Sequence, residues 1–157
     1  MDKILVRDLT KTFPARYGAV TALEHLDLAV REGEFFVLLG PSGCGKTTLI
    51  RIMAGLERQT AGEISIARTD ARKPLTAMVF QENSVFPWMT VEANVGYGLR
   101  MQGIRPDAIR RSVKAYLEKV GLSRFARAYP FQLSGGMKQR VSVARAFAAD
   151  PEVLLMD

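Results

Sequence analysis

A glycine-rich stretch has the residue types and the spacing of a loop that binds phosphate. Residues 40–48 read Gly-Pro-Ser-Gly-Cys-Gly-Lys-Thr-Thr and match the pattern G-x-x-x-x-G-K-[ST]. The glycines let the backbone turn consecutive N–H groups into one concavity, which favours a polyphosphate. Lys46 would supply a mobile charge to the β- and γ-phosphates, and the Thr47 hydroxyl would bind Mg²⁺. A chance glycine turn before a helix is the alternative.

This stretch, called the phosphate-binding loop below, predicts a nucleotide site. Its candidate binding residues are Gly40, Pro41, Ser42, Gly43, Cys44, Gly45, Lys46, Thr47 and Thr48. The pattern needs a strand before it and a helix after it. Residues 35–39 form an apolar run without alternation, which is typical of a strand buried on both faces of a parallel sheet. Residues 46–54 predict the helix.

Further strands and helices alternate along the chain. Strands are predicted over 3–9, 23–30, 62–67, 76–80 and 153–157. Helices are predicted over 91–101, 106–120 and 136–149. This order predicts the α/β class, with a mainly helical insert from about 88 to 134.

Composition favours one globular domain. The chain has 157 residues, of which 48% are hydrophobic and 24% are charged. The apolar runs are far shorter than the roughly 20 residues that a membrane-spanning helix needs. The first residues do not resemble a secretion signal. The single cysteine excludes an internal disulfide and fits a reducing cytosol.

The net charge of +6 is unevenly distributed. Basic residues dominate the segment 100–145, in which the acidic residues are Asp107 and Glu118. A solvated helical surface, an anionic partner such as nucleic acid, and the cytoplasmic face of a membrane all fit this pattern. Charge alone does not choose among them.

Three further stretches narrow the kind of nucleotide site. Residues 78–81 form a strand that ends in Gln81, residues 133–140 read LSGGMKQR, and residues 153–157 form an apolar strand that ends in Asp157. The guanine-reading pattern Asn-Lys-x-Asp is absent from the sequence. Together with the phosphate-binding loop, these stretches resemble the ATP-binding-cassette (ABC) ATPases, in which LSGGMKQR resembles the signature motif. Residues 81–95 (QENSVFPWMTVEANV) are similar to the nitrate, sulfonate and taurine importer subfamily.

The resemblance implies an α/β P-loop NTPase (ABC ATPase) core with a β-rich N-terminal part and a helical subdomain. Residues 1–87 and 135–157 would form the core of a single domain, and about 88–134 the helical subdomain. Phe13 would stack on adenine, with Tyr17 as the alternative, although an aromatic residue here also suits a core.

The resemblance also assigns catalytic roles beside that of Lys46. Ser134 and Gly136, at the start of a predicted helix, would address the γ-phosphate that a second subunit binds. Gln81 would reach Mg²⁺ and the attacking water, and Asp157 would hold Mg²⁺ through water. Plainer interpretations also exist: Ser134 could be only the N-cap of a helix, Gln81 an ordinary amide at the end of a strand, and Asp157 an exposed acid.

The implied function is an ATP-binding and ATP-hydrolysing subunit that energises a membrane importer. The transported solute would be a small anion or an organic sulfonate, such as nitrate, sulfonate or taurine. ATP and Mg²⁺ would be bound. The family places its catalytic glutamate directly after the position of Asp157, so residues 1–157 alone are expected to bind ATP and to hydrolyse it negligibly.

The implied partners are a second ATPase domain in a head-to-tail dimer, a membrane permease subunit and, indirectly, a solute-binding protein. The location would be peripheral, on the cytoplasmic side of the plasma (inner) membrane. Phe86, Pro87 and Trp88 would contact the permease, or else form a locally packed loop. The alternatives are a soluble ABC ATPase acting on nucleic acid or the ribosome, and a non-functional truncated product. The distance between the phosphate-binding loop and LSGGMKQR is compact, with no zinc-binding cysteine cluster and no long coiled-coil insert, which disfavours the DNA-repair type. A nucleic-acid partner is therefore not expected.

Overall fold

The computed structural model describes residues 1–16, 18–82 and 84–157, which divide into two compact units. Met1–Thr69 and Asp157 form the first unit, and Asp70–Met156 form the second. The first contains β1 (Asp2–Ala15), β2 (Gly18–Arg31), α1 (Lys46–Met53) and β3 (Ala61–Ile66). The second contains β4 (Thr76–Val79), α2 (Val91–Val95), α3 (Tyr97–Met101), α4 (Pro106–Lys119), α5 (Gly135–Ala148) and β5 (Val153–Met156). The predicted limits of the helical subdomain stay a prediction.

An antiparallel sheet of order β2-β1-β3 dominates the first unit. Ile4 and Val6 alternate onto the buried face of β1, and register shifts interrupt the pairing further along the strand. The buried apolar residues of β1, β2 and α1 are Ile4, Val6, Leu9, Leu23, Val30, Leu49, Ile50, Ile52 and Met53. The hairpin is longer than predicted, because Phe13 pairs with Val20 and Ala15 with Gly18.

The predicted buried strand over residues 35–39 is wrong. Phe35 is 91% exposed and Leu39 is 90% exposed, and neither lies in a strand. An extended segment becomes a strand only when a neighbour takes its backbone hydrogen bonds. Among the described residues, no strand pairs with this segment. Apolar composition therefore identified a candidate strand without identifying a partner for it.

The second unit combines a parallel β4–β5 pair with packed helices. Helix α4 has the local signals of a well-defined helix, with Pro106 in its first turn and Lys119 in its last. Gly121 follows with φ 69°, and Leu122 N–H donates to the Leu117 carbonyl at 2.8 Å. This left-handed glycine stop turns the chain so that the side chain of Leu122 is fully buried.

The single helix predicted over residues 91–101 is two helices, α2 and α3, that meet at Gly96. A Cβ atom at Gly96 would lie 3.1 Å from a methyl carbon of Ile109 and of Val113. Glycine thus allows α4 to pack closely against this junction. Within the described ranges, no helix is long and apolar enough to cross a membrane.

Asn94 of α2 organises the segment 84–90, which we call the aromatic loop. Its side chain is fully buried. Oδ1 accepts a hydrogen bond from Phe86 N–H at 2.8 Å. Nδ2 lies 3.0–3.1 Å from the carbonyl oxygens of Phe86, Met89 and Thr90. One buried amide therefore satisfies backbone groups along most of this loop.

Replacing Asn94 with leucine tests this role. Asn94→Leu keeps the side-chain volume but leaves backbone groups of the aromatic loop without partners, so we expect a loss of about 2 kcal/mol in the free energy of unfolding. Urea denaturation measures this change, and the fluorescence of Trp88, the sole tryptophan, reports on the loop. The exposed Glu92→Gln on the same helix is the control and should change stability by less than about 0.5 kcal/mol. Equal stability of Asn94→Leu and the wild type would contradict the role.

Candidate nucleotide-binding site

The phosphate-binding loop leads directly into α1, and its backbone geometry bears on why glycine occupies positions 40, 43 and 45. Gly43 and Gly45 have φ angles of 81° and 91°, in the left-handed region that favours glycine. A Cβ atom at Gly45 would lie 2.4 Å from the Ala22 carbonyl oxygen of β2. A Cβ atom at Gly40 would lie 2.8 Å from Cys44 Sγ. The loop conformation therefore depends on glycine at positions 43 and 45, whereas at position 40 the Cys44 side chain could move aside.

The start of α1 is open to an anion. Gly45 is the N-cap, no side chain caps the helix, and its first turn has no acidic residue. The first N–H groups of a helix lack intrahelical partners, and the positive end of the helix dipole favours negative charge. Pro41 and Ser42 are exposed in front of this end, and Thr48 is half-buried in the first turn.

The Lys46 side chain folds back into the loop that precedes it. Its Nζ donates hydrogen bonds to the carbonyl oxygens of Gly40, at 2.8 Å, and Pro41, at 2.6 Å. Cys44 Sγ lies 3.3 Å from the same nitrogen. Neutral carbonyls are weaker acceptors than a phosphate oxygen, so an incoming phosphate can take over these N–H donors. The structure thus places the predicted cation inside the loop.

Thr47 and Asp157 meet in the first unit although they are 110 residues apart in sequence. The Thr47 hydroxyl donates to Asp157 Oδ1 at 2.8 Å. Both groups are hard oxygen ligands of the kind that Mg²⁺ prefers. Among the described residues, no cluster of three or more His, Cys, Asp or Glu side chains is suited to hold a metal. Because Mg²⁺ commonly binds one or two protein groups together with water and substrate phosphates, the pair fits that ion.

Phe13 and its surroundings belong to the β1–β2 hairpin. Phe13 is half-buried, and the ammonium of Lys11 lies 4.5 Å from the centroid of its ring. Lys11 is held in turn by Glu57 at 2.8 Å, and this hydrogen bond lowers the pKa of the Glu57 carboxyl. Stacking of Phe13 on adenine stays a prediction. Tyr17, the alternative, lies outside the described residues.

Ser134 is the N-cap of α5. Its Oγ accepts a hydrogen bond from Met137 N–H at 3.3 Å. Capping uses an oxygen lone pair and leaves the hydroxyl hydrogen free to donate, so a cap can also bind an anion. A Cβ atom at Gly135 or Gly136 would meet no described atom within 4 Å. The predicted γ-phosphate role and the plainer capping role are compatible here.

The structure brings only part of the predicted site together. Lys46, Thr47 and Asp157 lie in the first unit with the rest of the phosphate-binding loop. Gln81, which is exposed after β4, belongs to the second unit, as does the start of α5 at Ser134. The catalytic roles of Gln81, Ser134 and Gly136 stay predictions.

Two polar residues of the second unit, Asn94 and Arg145, were missed by the sequence analysis. Arg145 donates to the carbonyl oxygen and to the Oγ of Ser84, at 2.9 and 2.8 Å. Burial lowers the pKa of the Arg145 guanidinium. Asn94 had a detectable signal, because it interrupts the apolar positions of the helical repeat around Val95. Arg145 had none, because nothing in the local sequence links it to Ser84.

Comparisons with known proteins test the family assignment. The sequence profile of the family described as ABC transporter matches residues 23–157. The nitrate import ATP-binding protein NrtD of Synechocystis is 45% identical over 154 residues, which cover 97% of this chain and 58% of that protein. The Fe(3+) ions import ATP-binding protein FbpC of Pasteurella multocida is 43% identical over 161 residues, which cover 99% of this chain and 45% of that protein. The chain thus spans about half the length of these curated relatives.

A solved structure is similar over nearly the whole chain. It is the dimeric structure of a post-hydrolysis state of an ATP-binding cassette bound to ADP and phosphate. The TM-score is 0.89 at 32% sequence identity, and the match covers 98% of this chain and 73% of that chain. The α/β fold predicted from the motifs is confirmed. The chain therefore belongs to the ABC transporter family and has the P-loop fold of its ATP-binding cassettes.

Proposed function

We propose that this chain is the ATP-binding part of an ATPase subunit that energises a membrane importer, with Mg²⁺ bound beside the nucleotide. The observation that carries the proposal is the arrangement of the first unit. The ammonium group of Lys46 lies inside the phosphate-binding loop, at a helix start that no side chain caps. Two oxygens of the kind that bind Mg²⁺, the Thr47 hydroxyl and Asp157 Oδ1, lie 2.8 Å apart. A charge of this kind beside hard oxygen ligands suits a metal-bound polyphosphate.

The residues of this unit have separate tasks in binding ATP. Backbone N–H groups at the start of α1 would hold the phosphate chain, and Lys46 would move from the carbonyls of Gly40 and Pro41 to the β- and γ-phosphates. Thr47 would bind Mg²⁺ through its hydroxyl, and Asp157 would hold it through water. When bound, Mg²⁺ neutralises charge on the phosphate oxygens. Phe13 would stack on adenine.

The start of α5 would act on ATP held by a second copy in a head-to-tail dimer. Support comes from the open space at Gly135 and Gly136, from the donor hydroxyl of Ser134, and from the dimeric cassette with the same fold. The positive end of a 14-residue helix favours an approaching γ-phosphate. Gln81 would orient the attacking water.

The sole cysteine gives a direct test of nucleotide binding. Cys44 is exposed within the phosphate-binding loop, so bound MgATP should slow its reaction with a thiol reagent. We expect at least fivefold protection at saturating MgATP. Lys46→Ala removes a charged hydrogen-bond donor worth about 1.5–3 kcal/mol, so the protecting concentration should rise about 10- to 100-fold.

The readout is the ratio of labelling rates with and without MgATP for each variant, because Lys46 itself contacts Cys44. The exposed Lys114→Ala is the matched control and should behave like the wild type. Absence of protection in the wild type, or equal protection in Lys46→Ala, would overturn the proposal.

The membrane partner would contact the aromatic loop. Trp88 is 70% exposed, although Phe86 packs against it and against Tyr97 with ring centroids 5.6 and 4.8 Å apart. An exposed indole on a loop fixed by Asn94 is a preformed contact, and aromatic residues are enriched at protein interfaces. We place the protein at the cytoplasmic side of the inner membrane, bound peripherally to a permease and linked through it to a solute-binding protein.

The solute would be a small anion or organic sulfonate such as nitrate or taurine. This assignment is supported by the similarity of residues 81–95 to that importer subfamily and by the 45% sequence identity to a nitrate import ATP-binding protein. The ATP-binding part does not touch the solute, so this assignment is independent of the site geometry.

Photo-crosslinking tests the membrane partner. Benzoylphenylalanine in place of Trp88, introduced in cells that produce the chain, should give an adduct with an integral membrane protein in the membrane fraction. The same residue at Val20, which is 58% exposed on the hairpin, is the control and should give no such adduct. An identical adduct pattern from both positions, or no membrane adduct from position 88, would count against the contact.

A further inference from the structure

We propose that Arg145 is a positioning residue that ties the aromatic loop to α5, so that the start of α5 and the exposed Trp88 move as one body. The contacts lie wholly within the second unit. Through this connection, binding of a γ-phosphate at Ser134 would be transmitted to a membrane partner at Trp88. This use of the connection rests on the proposed function.

The contacts of Arg145 are specific to its planar guanidinium. Two of its nitrogens donate to the carbonyl oxygen and the Oγ of the same residue, Ser84. The guanidinium carbon also lies 5.0 Å from the centroid of the Phe86 ring. Two parallel donors and a flat face over an aromatic ring are features that lysine does not reproduce. The arginine therefore fixes both the start of the loop and its first aromatic ring.

Arg145 is half-buried, and the acceptors that the described residues offer it belong to the neutral Ser84. Desolvation lowers the pKa of its guanidinium. Removing a charge partly from water has a free-energy cost, so we assign Arg145 a positioning role rather than a stabilising one.

The aromatic loop has separate anchors at its two parts. Asn94 of α2 holds the backbone of Phe86, Met89 and Thr90, whereas Arg145 of α5 holds Ser84. Loss of Arg145 should therefore loosen the start of the loop, including the bond from Phe86 N–H to Asn94, whereas the Asn94 bonds to Met89 and Thr90 remain.

Helix α5 runs without interruption from Gly135 to Ala148. At about 1.5 Å per residue, Arg145 lies about 16.5 Å along the helix from its N-cap at Ser134. A rigid helix of this length transmits a displacement of its start to its side chains near the far end. Any such displacement would therefore carry Ser84 and Phe86 with it, as long as Arg145 holds them.

The experiment compares Arg145→Met with Arg140→Met. Arg140 lies on the same helix but is exposed and donates to the Val120 carbonyl, away from the aromatic loop. Hydrogen exchange of the Phe86 amide, next to the start of the loop that Arg145 holds, should be at least tenfold faster in Arg145→Met and unchanged in Arg140→Met. Arg145→Lys should lie between, and Ser84→Ala, which removes one acceptor, should show a smaller increase. Unchanged exchange in all Arg145 variants and in Ser84→Ala would overturn the link.

Trp88 fluorescence then tests transmission, because a purely structural role would not alter its response to nucleotide. In the wild type and Arg140→Met, MgATP should change Trp88 emission over the concentrations that protect Cys44. In Arg145→Met, the protecting concentration should stay within twofold while the emission change is lost. A retained emission change would overturn transmission. If MgATP protects Cys44 in none of the proteins, the proposed function fails, and hydrogen exchange alone decides the role of Arg145.

Discussion

The hydrogen bond between Thr47 and Asp157 is the contact on which the proposed nucleotide site depends. It joins the first turn of α1 to a carboxylate 110 residues later, at 2.8 Å. The phosphate-binding loop alone would offer only N–H donors and a lysine, which attract any small anion. A hydroxyl and a carboxylate at this distance are hard oxygen ligands, so the ligand that we propose is an anion that brings a hard cation with it. The proposed ligand class therefore rests on this pair.

In the second unit, polar side chains fix the backbone of the aromatic loop. Val85 and Phe86 make apolar contacts, but the backbone groups of the loop need hydrogen-bond partners from outside it. Asn94 and Arg145 provide this from two helices, α2 and α5, that share one apolar cluster. The exposed Trp88 thus projects from a fixed backbone, which would lower the entropy cost of the proposed contact with a membrane partner.

Local signals explain which features could be predicted from sequence. The motif glycines and the ends of α4 depend on residues within a few positions, so Gly43, Gly45 and Gly121 predict their own conformations. The segment 35–39 fails this test, because a strand depends on a partner that its own residues do not identify. The bonds from Asn94 and Arg145 likewise depend on which helices pack together. Four short motifs were enough to identify the family, because their residues are set by the chemistry of nucleotide binding rather than by packing.

The binding of Mn²⁺, a paramagnetic substitute for Mg²⁺, decides whether Thr47 and Asp157 hold the metal. Its affinity in the presence of ATP can be measured by electron paramagnetic resonance for Thr47→Val, Asp157→Asn and the exposed control Thr21→Val. We expect the first two substitutions to weaken Mn²⁺ binding about 10-fold or more and the control to leave it unchanged. Wild-type affinity in both Thr47→Val and Asp157→Asn would show that this pair does not hold the metal, and would contradict the account of the site.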